Sequence, residues 1–561
     1  MAGADLITAG GQAGTLTRRK VYPTRALTKS WEWGEPYTAG PFIGMRDALD
    51  PAGANPNLAT LLQNCYPLDP IGPAAGLLGV PGFDQAGAQG GAASKRTGQL
   101  VTQFTTLAGV QYTVRVIGGQ GIQTYDWSSE AWTTVVSVAN LTTASITLSE
   151  TARCTAVPFT NKLHIHDGVN VPFLWDGSSG AGGLTELTNS PVLYGPQVVY
   201  YAKIFGIKDT ARSTFVYSEE NDATIGYDTA PYSNVWTLGQ TDQEALYALA
   251  ATNDALYCFR ANSTTKVTGA VTADFVASGV RDSASETVGT TSPWSVYVHD
   301  DSMIFFLDPL GRPQVIVGGK IKDPPLWRDF RETCVGVDTA AASLLLAETW
   351  YDPEIRLVCM GVVELGQTAE SAILCFAPTT LQAAATFRGY TFQRMAVVYN
   401  ASLRRVMMHL SDDGYAYDHG TETGTLWDHE LNSGTVAIEH IVESPAVGYD
   451  PFMDKRWKRG DFAFRTPTDM TVTVTYTTSR GQSDAASLTP AVAGGYARWD
   501  YAIWDTDVWA GTAVESKESV GWNGFGRWLK WRVQHSVAGE QFGFMQGTAW
   551  ASPMNLLPQA P

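Results

Sequence analysis

Two histidines and two Asp-Gly pairs lie within the stretch "HIHDGVNVPFLWDG" at residues 164–177, which therefore offers both metal-ligand and acid–base side chains. His164 and His166 are two residues apart, so both would lie on one face of a strand, as a pair of metal ligands must. Asp167 would point to the opposite face, and the spacing fixes no third ligand nearby. Asp167-Gly168 and Asp176-Gly177 are also typical turn sequences. The spacing favours turns, and we predict no metal site.

Adjacent carboxylates occur at Glu219–Glu220 and at Asp412–Asp413, and such pairs can supply the general acid and nucleophile of a glycosidase. Carboxylates in turns are far more often solvated, and the nearest match to a sialidase turn, "SDDGYAYD" at 411–418, has its glycine one place early. No G-x-S-x-G, phosphate-binding loop or H-E-x-x-H sequence is present. The sequence therefore predicts no catalytic residues, no cofactor and no enzymatic activity.

The six cysteines are widely spaced, with neither a C-x-x-C pair nor a Cys/His zinc pattern. Cys258 in "ALYCFR" and Cys375 in "AILCFA" lie in apolar runs. Cysteines in such surroundings act as small hydrophobic side chains. We expect buried free thiols.

The composition indicates an all-β protein. The chain has 55 glycines, 28 prolines and 18 tryptophans, with only 17% charged residues. Glycine and proline supply tight turns, and tryptophan favours strands. No apolar run is long enough to span a membrane, and the first residues lack the features of a signal peptide. We therefore expect synthesis in a cytoplasm.

The net charge is −17, from 55 acidic and 38 basic residues. An acidic protein gains no counterion-release free energy from nucleic acid, so sequence-specific DNA binding is disfavoured. A surface that repels DNA, and so lets it slide, is compatible with this charge.

Short strands joined by turns recur every 40–50 residues from about residue 97. Examples are "DALYCFRANSTTKVTG" (254–269), "DSMIFFLDPLGRPQVIVGG" (301–319) and "RRVMMHLSDDGYAYDHG" (404–420). Such a period in an all-β chain is typical of propeller blades. We predict a β-propeller-like domain of about six blades over 97–435, in which Trp127 and Trp175 occupy equivalent, largely buried positions.

A different module is predicted over 436–561. Two stretches alternate apolar and polar residues, "DMTVTVTYTTS" (469–479) and "RWLKWRVQHS" (527–536), as half-buried antiparallel strands do. Between them lies a Trp-rich stretch containing Trp504 and Trp509. We predict a β-sandwich with a Trp-rich loop and an irregular tail, and Trp504 and Trp509 as interface candidates because tryptophan anchors many interfaces.

Residues 1–96 are predicted to form an extended, irregular N-terminal arm, with one short helix near "NPNLATLLQNCY". The arm holds a basic cluster that contrasts with the acidic chain. We predict that this cluster docks onto an acidic surface of a partner or of a neighbouring copy of the chain, the alternative being a solvated loop. The residues concerned are Arg18, Arg19, Lys20, Arg25 and Lys29.

Several stretches together resemble the tail nozzle proteins of short-tailed bacteriophages, also called tail tubular protein B or packaged-DNA-stabilisation proteins. They are "FTNKLHIHDGVNVPFLWDG" (159–177), "YYAKIFGIKDTARSTFVYSEENDATIGYDTAPYSNVWTLG" (200–239), "DALYCFRANSTTKVTG" (254–269), "SPWSVYVHDDSMIFFLDPLGRPQVIVGGKI" (292–321) and "VGYDPFMDKRWKRGDFAFRT" (447–466). The resemblance covers roughly residues 100–470. One departure is Lys203, where similar proteins have an arginine before the Ile-Phe pair.

The resemblance implies a structural virion protein of the phage tail. It would form a hexameric ring below the adaptor (the head-to-tail connector), retain packaged DNA, and conduct it during ejection. Tail fibre or spike proteins would be further partners. Two alternatives stay open: a host-glycan-binding tail or neck component, and a propeller glycoside hydrolase.

Overall fold

The computed structural model describes residues 35–40, 42, 44–46, 57–67, 76–80, 82–90, 99–228, 234–237, 244–268, 280–323, 325–330, 334, 336–389, 393–411, 414–419, 428–431, 434–465, 469–490, 496–497, 508–509 and 515–554. The predicted all-β class is confirmed. Short helices interrupt the strands at α1 (Val138–Thr143) and α2 (Ala341–Leu344), with 3-10 turns at Ala181–Gly183, Asp209–Ala211, Pro293–Ser295 and Leu326–Phe330.

The N-terminal part contributes seven short strands. They are β1 (Glu35–Ala39), β2 (Gly44–Met45), β3 (Leu58–Ala59), β4 (Leu61–Gln63), β5 (Cys65–Pro67), β6 (Leu77–Gly79) and β7 (Phe83–Gln85). Except for the β2–β3 pair, these strands complete sheets whose other members come from much later in the chain. Their partners identify the two large parts of the fold.

Six sheets of consecutive antiparallel strands follow, and we call them blades 1 to 6. Blade 1 holds β8 (Gln99–Thr105), β9 (Gln111–Ile117), β10 (Gly121–Asp126) and β11 (Ala131–Val136). Blade 2 holds β12 (Thr155–Phe159), β13 (Lys162–His166), β14 (Phe173–Trp175) and β15 (Leu184–Glu186). Blade 3 holds β16 (Leu193–Tyr200), β17 (Lys203–Lys208), β18 (Thr214–Glu219), β19 (Asp222–Gly226) and β20 (Val235–Thr237).

Blade 4 holds β21 (Leu246–Ala251), β22 (Leu256–Arg260), β23 (Thr264–Thr268) and β24 (Val280–Ser285). Blade 5 holds β25 (Tyr297–His299), β26 (Met303–Leu307), β27 (Pro313–Val317) and β28 (Lys320–Ile321). Blade 6 holds β29 (Glu348–Asp352), β30 (Leu357–Val362), β31 (Ala372–Ala377) and β32 (Gln382–Arg388).

A seventh blade is assembled from both ends of the propeller. Its strands β33 (Gln393–Tyr399), β34 (Arg405–Leu410) and β35 (Ala416–His419) are continued by β7, which pairs antiparallel with β35 and leads to the hairpin of β36 (Asp428–Leu431) and β37 (Gly434–Ala437). Since β7 precedes blade 1 in the chain, this pairing ties the first blade to the last.

The blades form a closed ring. The innermost strands β8, β12, β16, β21, β25, β29 and β33 contact one another in succession, and β33 returns to β8. Apolar clusters fill the spaces between blades; for example, Val101 of blade 1 packs in one cluster with Val398 of blade 7. The sequence predicts about six blades, and the structure has seven. The last combines the repeat at 404–420 with β7, which comes from outside the repeats.

The C-terminal strands form a sandwich. They are β38 (His440–Glu443), β39 (Lys455–Arg465), β40 (Val472–Thr478), β41 (Ser483–Leu488), β44 (Glu515–Gly526), β45 (Leu529–His535) and β46 (Gly543–Pro553). Strands β42 (Tyr496–Ala497) and β43 (Val508–Trp509) form a separate two-stranded sheet. One layer has the order β44-β39-β46-β6-β5 with β1 on β46, and the other contains β4-β38-β45-β40-β41. Trp457, Trp531 and Phe544 fill the core between the layers.

The second layer of the sandwich is continuous with blade 6. Strand β4 pairs in parallel with β32 and antiparallel with β38, giving one sheet of nine strands from β29 to β41. The largest apolar cluster of the protein spans this junction, with Phe376 of blade 6 and Val533 of the sandwich among its members. Sheet and cluster therefore join the propeller and the sandwich in one body.

These pairings change three predictions. The irregular arm over 1–96 is incorrect for its described part, which forms strands of both the propeller and the sandwich. The helix predicted near residues 55–66 is wrong. Strands form there because Asn64 hydrogen-bonds to the backbone of Arg388 and β4 pairs with β38. The sandwich predicted over 436–561 also requires strands β1, β4, β5 and β6.

Two local predictions hold in detail. In β45, Leu529, Trp531 and Val533 are buried while the residues between them are partly exposed. The glycines of both Asp-Gly turns have positive φ, +73° at Gly168 and +93° at Gly177, a conformation that glycine adopts without strain. Residues 164–177 thus form part of blade 2.

Trp175 is fully buried, as predicted, but Trp127 is only half-buried. The two are not equivalent. Asp126 and Asp176 each accept a hydrogen bond from the N–H two residues later, so these aspartates mark the same turn. The residue before each aspartate is then the equivalent one, which makes Tyr125 the counterpart of Trp175.

Candidate functional site

Charged side chains that are largely or fully buried lie together at one end of the propeller axis. They are Arg153, Glu348, Glu370 and Arg394, with Trp294 beside them, and we call them the axial cluster. Arg153 immediately precedes β12, whereas Glu348 begins β29 and Arg394 lies at the start of β33. Blades 2, 6 and 7 therefore contribute the charges, and contact between blade 2 and blade 6 requires their side chains to cross the ring.

Arg153 is the centre of this cluster. Its Nη2 lies 2.7 Å from Oε2 of Glu348, and its guanidinium lies 4.2 Å from the ring centroid of Trp294. The same Glu348 oxygen accepts a hydrogen bond of 2.9 Å from the backbone N–H of Arg394. The Glu348 carboxylate, at the start of β29, thus binds both the backbone of β33 and the Arg153 guanidinium from across the ring.

Burial controls the ionisation of these groups. It lowers the pKa of Arg153 to about 9 and raises the pKa of Glu370 to about 7. Charges of both signs are present in equal number, which is how buried ions are tolerated. The Arg153–Glu348 ion pair therefore joins blade 2 to blade 6 across this end of the propeller.

His164 and His166 lie on the inner part of blade 2 and are both buried. Burial lowers the pKa of His164 to about 3 and that of His166 to about 4, so both imidazoles are neutral near pH 7. Within the described residues, no group of three histidine, cysteine or acidic side chains has the arrangement of a metal site.

Asp167 holds the loop that follows β13. Its carboxylate accepts hydrogen bonds from the backbone N–H groups of Ser149, Val169 and Asn170 at 2.6, 3.0 and 2.8 Å. Burial opposes its ionisation, but these hydrogen bonds prevail and lower its pKa. The side chain therefore has a structural role in the turn.

Five further histidines form a band between blade 7 and the sandwich. His409 Nδ1 and His419 Nε2 are 2.8 Å apart, and the ring of Phe83 from β7 is stacked on His429 at 4.1 Å. His440 and His535 continue the band into the sandwich, their Nδ1 atoms 3.4 Å apart. Burial lowers the pKa of His409, His419, His429 and His440.

The carboxylate pairs considered for catalysis do not converge in the described residues. Glu219 Oε1 accepts a hydrogen bond of 2.8 Å from Asn234 Nδ2, which holds the end of β18 to the segment before β20. Glu220 is exposed in the neighbouring turn. Asp412 and Asp413 lie outside the described residues.

The six cysteines are all buried and free, as predicted. Cys359 and Cys375 are directly opposite one another on β30 and β31, with their Sγ atoms 3.7 Å apart. Lys203, the departure from the resemblance, is buried in blade 3, and its Nζ lies 5.3 Å from the ring centroid of Tyr217.

An open groove of about 800 Å³ lies between blades 1 and 2. The tips of the β8–β9 and β12–β13 hairpins and the loop after β14 form its walls. Its lining includes Tyr112, Asn161, Lys162 and Asp176. An aromatic ring beside hydrogen-bonding side chains is a combination that many ligand sites use.

The predicted interface residues fall largely outside what the structure describes. Arg18, Arg19, Lys20, Arg25, Lys29 and Trp504 lie outside the described residues. The backbone of Trp509 belongs to β43, which pairs in parallel with β42. The interface prediction for these seven residues stays a prediction.

No protein-family model matches the sequence, and no curated protein matches it. Solved structures that resemble it include the N-terminal domain of Nup159 (8% identity, TM-score 0.35, 60% of this chain and 95% of that one). The WD40 domain of Neurospora crassa Pan2 gives 8% identity, a TM-score of 0.35, and coverage of 60% and 94%. At these TM-scores the fold assignment rests on the strand pairing described above. None of the described helices has the length and apolar character needed to span a membrane.

The axial cluster was not predicted from the sequence. Arg153 occurs in "SETARCTAV" and Glu370 in "QTAESAILC", and neither stretch contains a spacing typical of a site. For Arg153 the available signal was position alone, since a charged residue just before an inner strand lies near the axis of a propeller. Glu370 precedes β31, which is not an inner strand, and carries no such signal.

Proposed function

We propose that this chain is a structural subunit of the tail nozzle of a short-tailed bacteriophage. In this role it forms a ring below the adaptor, retains packaged DNA and conducts it during ejection. The protein is made in the host cytoplasm and resides in the virion tail. The order of the stretches that resemble nozzle proteins, over residues 100–470, motivates the proposal.

The junction between propeller and sandwich carries the proposal. One sheet runs through blade 6, strand β4 and the sandwich, so bending between the two parts would break backbone hydrogen bonds of β4 on both sides. A component that holds DNA under pressure must resist such bending.

Net charge and the ion pair across the ring agree with this role. Arg153 and Glu348 meet across the propeller axis, and in this role a duplex passes through a lumen formed between subunits. With −17 per subunit, six copies carry roughly a hundred negative charges. A lumen of the same sign as DNA lets the duplex slide without strong binding.

Electron microscopy of the purified full chain, alone and mixed with an adaptor ring from a short-tailed phage, tests this function. We expect closed rings that stack on the adaptor. Particles that never stack on an adaptor would contradict the nozzle role. So would hydrolysis of a glycan or peptide substrate that Glu219→Gln abolishes, because it would favour the hydrolase alternative.

The groove between blades 1 and 2 favours a second candidate, binding of a host glycan. Tyr112 offers a ring face, and Asn161, Lys162 and Asp176 offer hydrogen-bond donors and acceptors. A glycan array probed with the wild type and with Tyr112→Ala tests it. Binding that depends on Tyr112 supports this candidate, and an array without any bound glycan contradicts it.

A further inference from the structure

Apolar side chains of the loop between β38 and β39 are exposed to solvent. Asp450 Oδ1 accepts hydrogen bonds from the N–H groups of Phe452 and Met453 at 2.8 and 3.0 Å. The N–H of Asp450 itself donates to the carbonyl oxygen of Arg527 at 3.1 Å. The turn is therefore fixed, and Phe452, which is 86% exposed, does not fold back onto its own protein.

Neighbouring strand ends extend this apolar surface. Arg456 of β39 is opposite Phe525 of β44, and the N–H of Met554 donates to the carbonyl oxygen of Asp454. Exposed apolar residues thus flank the loop on both sides. We call the set the loop patch: Tyr449, Phe452, Met453, Phe525 and Met554, exposed by 40%, 86%, 42%, 40% and 44%.

The rim of the loop patch is basic, in contrast to the acidic chain. Exposed Arg456, Arg480 and Arg527 lie beside it. Two carboxylates accompany these three cations, Asp450 in the turn and Asp454 paired with Arg480. Contiguous apolar surface with a charged rim is characteristic of protein interaction sites.

Two loop patches would not pair with each other, since cations would face cations. The patch instead fits a surface of opposite charge. Because the chain has a net charge of −17, a second copy of it offers such a surface. Contact between two different surfaces of identical subunits is heterologous and builds rings when the rotation closes.

A complementary surface lies on the hairpin tips of blades 3, 4 and 5. Asp254, Asp300 and Asp301 are exposed there, and the N–H of Asn253 donates to the carbonyl oxygen of Asp301, which holds two tips together. Tyr200 Oη donates to the carbonyl oxygen of Asp254, and the adjoining Tyr201 is 50% exposed. We call Tyr201, Asp254, Asp300 and Asp301 the acidic face.

We propose that the loop patch of one subunit docks on the acidic face of a second copy of this chain. This deepens the proposed function by naming the surfaces that would build the ring. Phe452 inserts beside Tyr201, and the arginines of the patch meet the three aspartates. The contact requires no phage component.

Sedimentation velocity of the full chain over a range of concentrations tests the docking. We expect the wild type to form oligomers and Phe452→Ser to weaken association at least ten-fold. Leu403→Ser is the matched control, since Leu403 is an apolar residue 68% exposed on a turn of blade 7. Both variants should keep the wild-type melting temperature of the monomer, because neither side chain is buried.

Charge reversal identifies the partner surface. Arg527→Glu and Asp301→Lys should each weaken association at least ten-fold, and the double variant should regain most of it. An unaffected Asp301→Lys variant, or equal association of Phe452→Ser and Leu403→Ser, overturns the proposal. A wild type that stays monomeric but co-sediments through Phe452 with phosphatidylglycerol vesicles also overturns it, in favour of a membrane contact. Rings that depend on Phe452 but do not bind the adaptor would support the docking proposal and contradict only the nozzle role.

Discussion

Asn64 and Arg388 exchange two hydrogen bonds at the junction of propeller and sandwich. The N–H of Arg388 donates to Asn64 Oδ1 at 2.6 Å, and Asn64 Nδ2 donates to the carbonyl oxygen of Arg388 at 2.8 Å. The same Nδ2 donates to the carbonyl oxygen of Glu439 at 2.8 Å. One buried amide thus ties the N-terminal segment to blade 6 and to the sandwich.

We expect Asn64→Ala to destabilise the protein by about 3 kcal/mol or more, because it leaves buried backbone groups without partners. Asn161→Ala is the matched control: Asn161 also has a positive φ, 62° against 54° for Asn64, but it is exposed. Its loss should cost about 1 kcal/mol of backbone strain or less. Urea denaturation of both variants measures the difference. Equal losses of unfolding free energy would show that the Asn64 side chain does not stabilise the junction.

Removal of the Glu348 carboxylate from the axial cluster should strongly lower the free energy of unfolding. Glu348→Ala should cost about 3–5 kcal/mol, since it leaves the Arg153 guanidinium buried without its partner. The control is Glu364→Ala, which removes the partner of the half-exposed Arg388 at 2.7 Å and should cost about 1 kcal/mol. Similar melting temperatures for the two variants would show that the axial ion pair contributes no more than a surface pair.

All eight histidines are buried, so acid should destabilise the fold. Burial lowers the pKa of His419 from its ordinary 6.5 to about 4, so the unfolded chain binds a proton that the folded chain does not. Stability is therefore lost as the pH falls from about 6.5 towards 4. His419→Gln should reduce the pH slope of the unfolding free energy in that window by up to about 1.4 kcal/mol per pH unit. Denaturation between pH 7.5 and 5 measures it, and an unchanged slope would count against the assignment.

Trp175 and Trp127 should respond differently to truncation. Trp175→Ala removes a fully buried ring from the core shared by blades 1 and 2 and should cost about 3–5 kcal/mol. Trp127 is half-buried, and we expect Trp127→Ala to cost less than half as much. Thermal melts of the two variants test this, and equal shifts would restore the equivalence of the two positions that the sequence predicted.

The hairpins were predictable because their signals are local. Alternation in strands such as β9 and the glycines after Asp167 and Asp176 determine strand and turn within about ten residues. Strand β7 has three residues and no periodicity, so nothing local indicates that Phe83 pairs with His419. The same holds for β4, whose partners Thr386 and Ile441 are more than 300 residues away. Long-range pairing therefore hid the β7 strand of blade 7 and the N-terminal strands of the sandwich.

The loop patch was hidden for a different reason. The stretch "GYDPFMDK" has the Asp, Pro and Gly of an ordinary turn, and turns are usually polar at their tips. Only the hydrogen bonds of Asp450, which fix the turn, and the ends of β44 and β46 show that Phe452 has apolar neighbours.

The pairing of β1 with β46 has a consequence for biosynthesis. Thr38 and Thr548 are opposite each other, 510 residues apart. At about 5–20 residues per second, the ribosome makes the partner of β1 roughly half a minute or more after β1 itself. Strands β1, β4, β6 and β7 leave the ribosome long before the later strands that they join, so these edges stay unpaired in the meantime. We expect a nascent chain that depends on chaperones until its last strand emerges.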